Sequence, residues 1–192
     1  MNQVYGAIPF PRGEEKCLAR GQRLTDRMMD YLAHAIQKAT GNNKIHIVPS
    51  FITVGLETIP REEYAVYSKV LMIMHQHDHW FLLVYDPPSD IFHLMDTVES
   101  EDQSPIDLEL LPIGDKDLIE DYYGDIPHQG ASATNCGILT LLNIARILAG
   151  RPLAYDGSPA RINGVLRPYL ASVLTDLSKL DLAVLLEDSS ST

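Results

Sequence analysis

Cysteine is scarce in this chain: two thiols, Cys17 and Cys136, in 192 residues. Two cysteines cannot make a disulfide framework, and a chain of this length can build a core without staples. Long apolar runs are missing as well. No stretch reaches the roughly 20 residues of a membrane span, and the first residues lack the basic and apolar regions of a signal peptide. A cytosolic protein is the expectation, and delivery into a host cytoplasm by a signal-less secretion route is compatible with it. Positive charge is in short supply, with 15 Lys and Arg against 26 Asp and Glu and a net charge of −11. Nucleic acid is excluded as a partner, because phosphate binding relies on clustered Lys and Arg. Internal repeats, long low-complexity tracts and linkers are also absent. The expectation is one domain over residues 1–186, a short disordered tail over 187–192, and a monomer.

What is present reads as helices flanking a cluster of strands. Residues 1–23 mix Gly, Pro and charge, an irregular arm that can pack at Tyr5, Ile8 and Phe10. Thr25 offers an N-cap, Asp26 suits a first turn and Gly41 a left-handed stop, and Met28, Met29, Leu32, Ala35, Ile36 and Ala39 recur at helical spacing between them. Ile45 to Phe51 reads as a short extended segment. Tyr67 to Met74, His79 to Tyr85 and Ile91 to Met95 are the strongest strand signals. Asp86-Pro87-Pro88-Ser89-Asp90 is turn chemistry that folds the last two into an antiparallel hairpin. Asp121 to Ile126 is a further strand candidate. Ile138 to Leu148 is apolar nearly all round, as a buried helix is, and Gly150 and Pro152 end it. Ser158-Pro159 starts another helix, and Leu174 to Leu186 forms a last one docked on the core. The class is α+β with a mainly antiparallel central sheet flanked by helices.

Cys136 stands where the small and polar residues Gly130 to Asn135 give way to the buried helix. Unpaired N–H groups and the positive dipole end favour a thiolate at such a helix start. A cysteine nucleophile needs a base, a group to orient the base, and donors for the oxyanion. His79 opens a strand, and Asp96 lies just past the end of its hairpin partner, so the turn brings both to one end of the hairpin. Gln129, a short loop upstream of Cys136, can offer a side-chain N–H beside the Cys136 backbone N–H. In His75-Gln76-His77-Asp78-His79, alternate histidines on a strand would share a face and three imidazoles can ligate zinc. No cysteine or carboxylate evidently converges on them, so neither metal nor other cofactor is expected. Cys17 and His128 are read as a small packed residue and a loop residue.

His79-Trp80, then Asp96, then Gln129 and Asn135-Cys136-Gly137 resemble the active-site signature of the CE-clan cysteine proteases. That clan holds the SUMO and NEDD8 deconjugating proteases, the adenovirus proteinase and bacterial effector deubiquitinases. Leu24-Thr25-Asp26 and its helix resemble the clan's early helical segment, and the resemblance spans roughly residues 24 to 150. It implies the papain-like-related, adenain-like fold with the nucleophile at the start of a buried helix. His79 is then the base, Asp96 its orienter, Gln129 the oxyanion donor, Cys136 the nucleophile, and Trp80 the wall of a channel for a slim Gly-Gly tail. The eukaryotic deconjugating enzymes usually carry Asp where this chain has Asn135. The Gln129–Cys136 loop is one residue longer than in many of them, and Gln129-Gly130 is closer to the adenovirus proteinase.

The implied activity is a thiol isopeptidase that removes ubiquitin, or a ubiquitin-like modifier, from lysine, in the manner of a bacterial effector deubiquitinase. Conjugates of such modifiers are the implied partners, and an acidic surface suits the basic face of ubiquitin. Four other readings share the scaffold: a SUMO- or NEDD8-specific protease, a Yersinia-type acetyltransferase effector, an inactive module that binds a ubiquitin-like protein, and a sequence-specific maturation protease.

Overall fold

The computed structural model describes residues 13–53, 59–98, 106–121, 126–128 and 134–188. Tyr5, Ile8 and Phe10 of the proposed arm lie outside them. Its later part contains a short helix, α1 (Glu15–Ala19), which buries Leu18. Helix α2 (Asp26–Thr40) has the limits that its capping residues dictate. Thr25 Oγ1 accepts from the Met28 N–H, and Gly41 ends the helix at φ 65°.

Five strands form one sheet in the order β1 (Ile45–Val48), β2 (Lys69–Gln76), β3 (His79–Asp86), β4 (Ile91–Met95) and β5 (Ile119–Asp121). The central pairs β2–β3 and β3–β4 are antiparallel, and the outer pairs β1–β2 and β4–β5 are parallel. The antiparallel centre is the part that local turns can dictate. The parallel outer strands need longer crossovers, which carry no turn signature in the sequence. The extended segment expected to reach Phe51 ends at Val48, because Pro49 leads into a helical turn, α3 (Ser50–Thr53). Asp30 of α2 fixes that turn by accepting from the Ser50 N–H at 2.7 Å and the Ser50 hydroxyl at 2.9 Å. A further turn, α4 (Arg61–Tyr64), precedes β2.

Both faces of the sheet are covered, which is why β2 and β3 read as continuous apolar runs rather than alternating ones. Leu71, Ile73, Trp80, Leu82 and Val84 join the helical core on one face. Val70, Met72, Phe81, Leu83 and Tyr85 pack under Ile59, Leu111 and Ile113 on the other. Running through the helical layer is α5 (Cys136–Ala149), buried on nearly every side and stopped by Gly150 at φ 64°.

After α5, Ser158 caps α6 (Pro159–Arg161), and a π-turn over Ile162–Leu166 joins it to α7 (Arg167–Thr175). The helix expected over Leu174 to Leu186 is not continuous. It breaks into the end of α7, a single turn at Leu177–Lys179, and α8 (Leu182–Leu186). Asp176 and Asp181 are the cause, since each carboxylate accepts the backbone N–H two residues on and starts a new turn. Strand β5 begins two residues before the expected Asp121, and residues 122–125 lie outside the described part. Of the expected tail, Asp188 pairs with the buried Arg146.

Candidate active site

Cys136 is the first residue of α5, so its position follows from where that helix can begin. The helix packs against β3 and α2, and its start lies against the beginning of β3. Gly137 permits the approach, because a Cβ there would stand 3.0 Å from both Leu24 Cδ1 and Trp80 Cδ1. Trp80 is locked in turn: its indole N–H donates to the Leu24 carbonyl at 3.0 Å, and the His75 ring lies over it at 4.3 Å.

His79 opens β3 directly after the two-residue turn His77-Asp78, whose φ values of 47° and 62° are those of a type I′ hairpin. Asp96 follows the last residue of β4. The register Leu82↔Met95 carries it alongside the start of β3. His79 Nε2–H donates to Asp96 Oδ1 at 2.6 Å, and the Val98 N–H donates to the same oxygen at 3.1 Å. With Nε2 committed to Asp96, Nδ1 is left for the thiol, and the His79 ring is hydrogen-bonded to Cys136. All three side chains are out of water, Cys136 and Asp96 at 1% exposure and His79 at 5%.

Burial alone would strip the proton from His79 and keep the thiol protonated. The His79 cation is disfavoured by burial, but hydrogen bonds to Asp96 and Cys136 and their charges raise its pKa from 6.5 to about 9. Burial likewise pushes the Cys136 thiol up. The His79 hydrogen bond outweighs it, with the Trp80 N–H, the imidazolium charge and the Gly137 N–H, and holds the thiol below its ordinary 9.0. The two directions agree: the pairing favours the proton on nitrogen and the charge on sulfur, the imidazolium–thiolate form of the site.

The expected nucleophile, base and orienter are thus brought together, with Trp80 packed beside them. Gln129 and residues 130–133 lie outside the described residues. The chain enters that loop next to the triad, because His128 Nδ1–H donates to the Val98 carbonyl at 3.1 Å, two residues past Asp96. A groove of about 380 Å³ adjoins Trp80, floored by Leu24 and Trp80 and edged by Arg23, Asp26, Arg27 and Asp78. The histidines of the 75–79 segment do not share one face. The strand ends at Gln76, His77 sits in the turn, His75 packs at a tilt against Trp80 and His79 turns to Asp96. Among the described residues no group of His, Cys, Asp and Glu is arranged to hold a metal.

One polar residue at the site escaped sequence reasoning. Arg167, 2% exposed, donates to the Thr134 carbonyl at 2.7 Å and to Asn135 Oδ1 at 2.9 Å, immediately before Cys136. Nothing local marks its place there, since Thr134 and Asn135 are 33 and 32 positions away in the chain.

No family model and no curated protein sequence matches the chain. Solved structures do. The SUMO protease Ulp1 with its catalytic cysteine oxidised to a sulfenic acid superposes with a TM-score of 0.65 at 17% identity, over 94% of this chain and 89% of that one. The carboxy-terminal Ulp1 protease domain in complex with Smt3, the yeast ortholog of SUMO, gives 0.63 at 17% identity, over 87% and 83%. The Ulp1-like SUMO protease catalytic domain of Chaetomium thermophilum gives 0.56 at 19% identity, over 83% and 78%. The chain has the fold of the SUMO proteases. This α+β fold of the ubiquitin-like proteases is the one that the order His79, Asp96, Cys136 resembles, with the thiol at the start of the buried helix.

Proposed function

We propose that the protein is a thiol protease that cleaves ubiquitin or a ubiquitin-like modifier from lysine. The observation that carries this reading is the preformed triad in a SUMO-protease fold: His79 Nε2 on Asp96 at 2.6 Å, its ring on the Cys136 thiol. The Cys136 thiolate attacks the carbonyl carbon at the modifier's carboxy terminus. The carbonyl electrons move to oxygen, where the Cys136 N–H at the helix start and the Gln129 side chain are the proposed donors. As the tetrahedral intermediate collapses, the His79 imidazolium gives its proton to the leaving lysine amine. Neutral His79 then takes a proton from water, whose hydroxide releases the thioester, and the pair returns to imidazolium and thiolate. Asp96 keeps Nε2–H in place throughout. The groove beside Trp80 is the proposed path of the modifier's extended tail.

Ubiquitin itself is the proposed modifier, supported by the net charge of −11 against a basic recognition face. An effector deubiquitinase acting in a host cytoplasm accords with Asn135 before the nucleophile and with the longer loop from Gln129. A SUMO-type modifier is the second reading, favoured by the complex of a like-folded domain with Smt3. A panel of electrophilic probes built on ubiquitin, SUMO and NEDD8 tests both. Labelling by the ubiquitin probe, lost in Cys136→Ala, is the expected result. Labelling by the SUMO probe alone would replace ubiquitin with SUMO, and labelling that survives Cys136→Ala would remove Cys136 as the nucleophile.

A further inference from the structure

Arg167 is a buried guanidinium held entirely by neutral acceptors. Nε donates to Asn163 Oδ1 at 3.0 Å, and Nη1 to the Gln22 carbonyl at 2.7 Å. Nη2 donates to the Thr134 carbonyl at 2.7 Å, the Thr134 hydroxyl at 3.1 Å and Asn135 Oδ1 at 2.9 Å. No carboxylate lies within ion-pair distance of it among the described residues, and Glu15 of the neighbouring helix α1 does not pair with it. An uncompensated buried cation is costly, by several kcal/mol as an order of magnitude, so a fold retains one only where a counter-charge or a task exists.

The backbone is shaped to put the guanidinium there. The π-turn over Ile162–Leu166 ends at Arg167, whose N–H reaches back to the Ile162 carbonyl, and Pro168 follows with no N–H to give. Asn163, within the turn, receives Nε.

The charges of the site then sum in a definite way. In the imidazolium–thiolate form Asp96 is negative, His79 positive and Cys136 negative, a buried set with one net negative charge. Arg167 makes it neutral. From this we propose that Arg167 is the positioning residue of the nucleophile: it pins the Thr134-Asn135 turn that sets Cys136 at the start of α5 and supplies the positive charge that balances the thiolate. In keeping with this, burial lowers the Arg167 pKa while the charge of Cys136 raises it. The other charged groups of the groove come in mixed signs, Arg23 and Arg27 against Glu14, Asp26 and Asp78, with His75 beside them, and supply no such balance.

The proposal rests on Cys136 as the nucleophile, and thiol ionisation separates the two claims. The rate of alkylation of Cys136 by iodoacetamide is followed against pH in the wild type, Arg167→Met and Arg167→Lys, each checked for fold by circular dichroism. In the wild type the midpoint lies below that of a free thiol; a midpoint at about 8.5 or above would sink the nucleophile itself. Arg167→Met is expected to raise the midpoint by about one unit or more, a tenfold loss of thiolate at a given pH below it. It should also lower kcat more than it raises KM. Arg167→Lys keeps the charge and loses the fork, so its midpoint should stay nearer the wild type than the methionine variant's while turnover falls. A folded Arg167→Met with an unmoved midpoint overturns the inference and leaves the protease reading intact. Should Arg167→Met fail to fold, a lysine variant whose midpoint rises a full unit overturns it as well.

Discussion

Asp96→Asn tests the site at its most defined contact. The substitution keeps the size and one oxygen of the side chain, so His79 Nε2–H retains an acceptor, but the charge is gone. The rise of the His79 pKa from 6.5 to about 9 is a preference for the cation of about 3 kcal/mol, at about 1.4 kcal/mol per unit. Asp96 supplies much of it through the 2.6 Å hydrogen bond and through its charge. Losing a preference of that size removes the imidazolium that holds the thiolate and protonates the leaving amine, and kcat/KM should fall about a hundredfold. The assay is hydrolysis of a fluorogenic carboxy-terminal amide of the modifier that the probe panel identifies, run from pH 5 to 10. In the wild type the alkaline limb of kcat/KM follows His79 near 9. In the variant it should retreat toward 6.5, while the far-ultraviolet circular dichroism stays unchanged. A folded Asp96→Asn protein with kcat/KM within threefold of wild type and an unmoved alkaline limb would refute the assignment of Asp96 as orienter.

Two further substitutions probe how the scaffold positions the site. A Cβ on Gly157 would fall 2.3 Å from Pro127 Cβ, an impossible contact with a rigid ring, so Gly157→Ala must displace the segment that leads to Gln129. Thermal unfolding should drop by the equivalent of about 1–3 kcal/mol, and kcat should fall further than KM changes; an unaltered kcat would separate that segment from catalysis. His77 holds φ 47° without being glycine, so His77→Gly should raise stability by about 0.5–1 kcal/mol in urea unfolding. A loss of stability there would mean that the side chain does more in the turn than its strained backbone costs.

Local signals carried most of the reading from sequence. Thr25 and Gly41 cap α2 by side-chain and left-handed chemistry that belongs to those residues alone, and the two Pro in the 86–90 turn force β3 and β4 to pair. Because that pairing is local, it also carries Asp96 to His79, which is why two members of the triad were legible before any long-range contact was known. Cys136 was legible as the junction of polar loop and apolar helix. The parallel edge strands were not, since β1 meets β2 and β4 meets β5 through crossovers with no fixed turn chemistry. The split of the last helix was written in Asp176 and Asp181, but the apolar run between them spoke more loudly than their preference to accept a nearby N–H. Arg167 was illegible for a different reason. Its Gln22 partner lies 145 positions away, and a buried cation without a carboxylate has no sequence signature at all.

The placement of the shared proton makes one more measurable demand. His79 has a raised pKa, so its contribution to stability is complete below 6.5 and is lost as pH rises through about 9. Cys136 has a lowered pKa, so its contribution is complete above the ordinary thiol value of 9.0 and is lost as pH falls through the folded value. Where the folded thiol has given up its proton and pH is still between the two ordinary values, the unfolded chain carries one proton on sulfur and the folded protein carries one on nitrogen. There the numbers of bound protons match, and the pair leaves stability flat. Cys136→Ala breaks the match. Unfolded His79 then sheds its proton above 6.5 while folded His79, still raised by Asp96, keeps it, so stability must fall as pH rises. The limiting slope is about 1.4 kcal/mol per pH unit for one proton, and a loss of about 1 kcal/mol between pH 6.5 and 8.5 is expected from urea unfolding of the variant, against little change in the wild type. A Cys136→Ala curve as flat as the wild type's would mean that folded His79 binds no more protons than the unfolded chain does, and the imidazolium–thiolate description would fall with it.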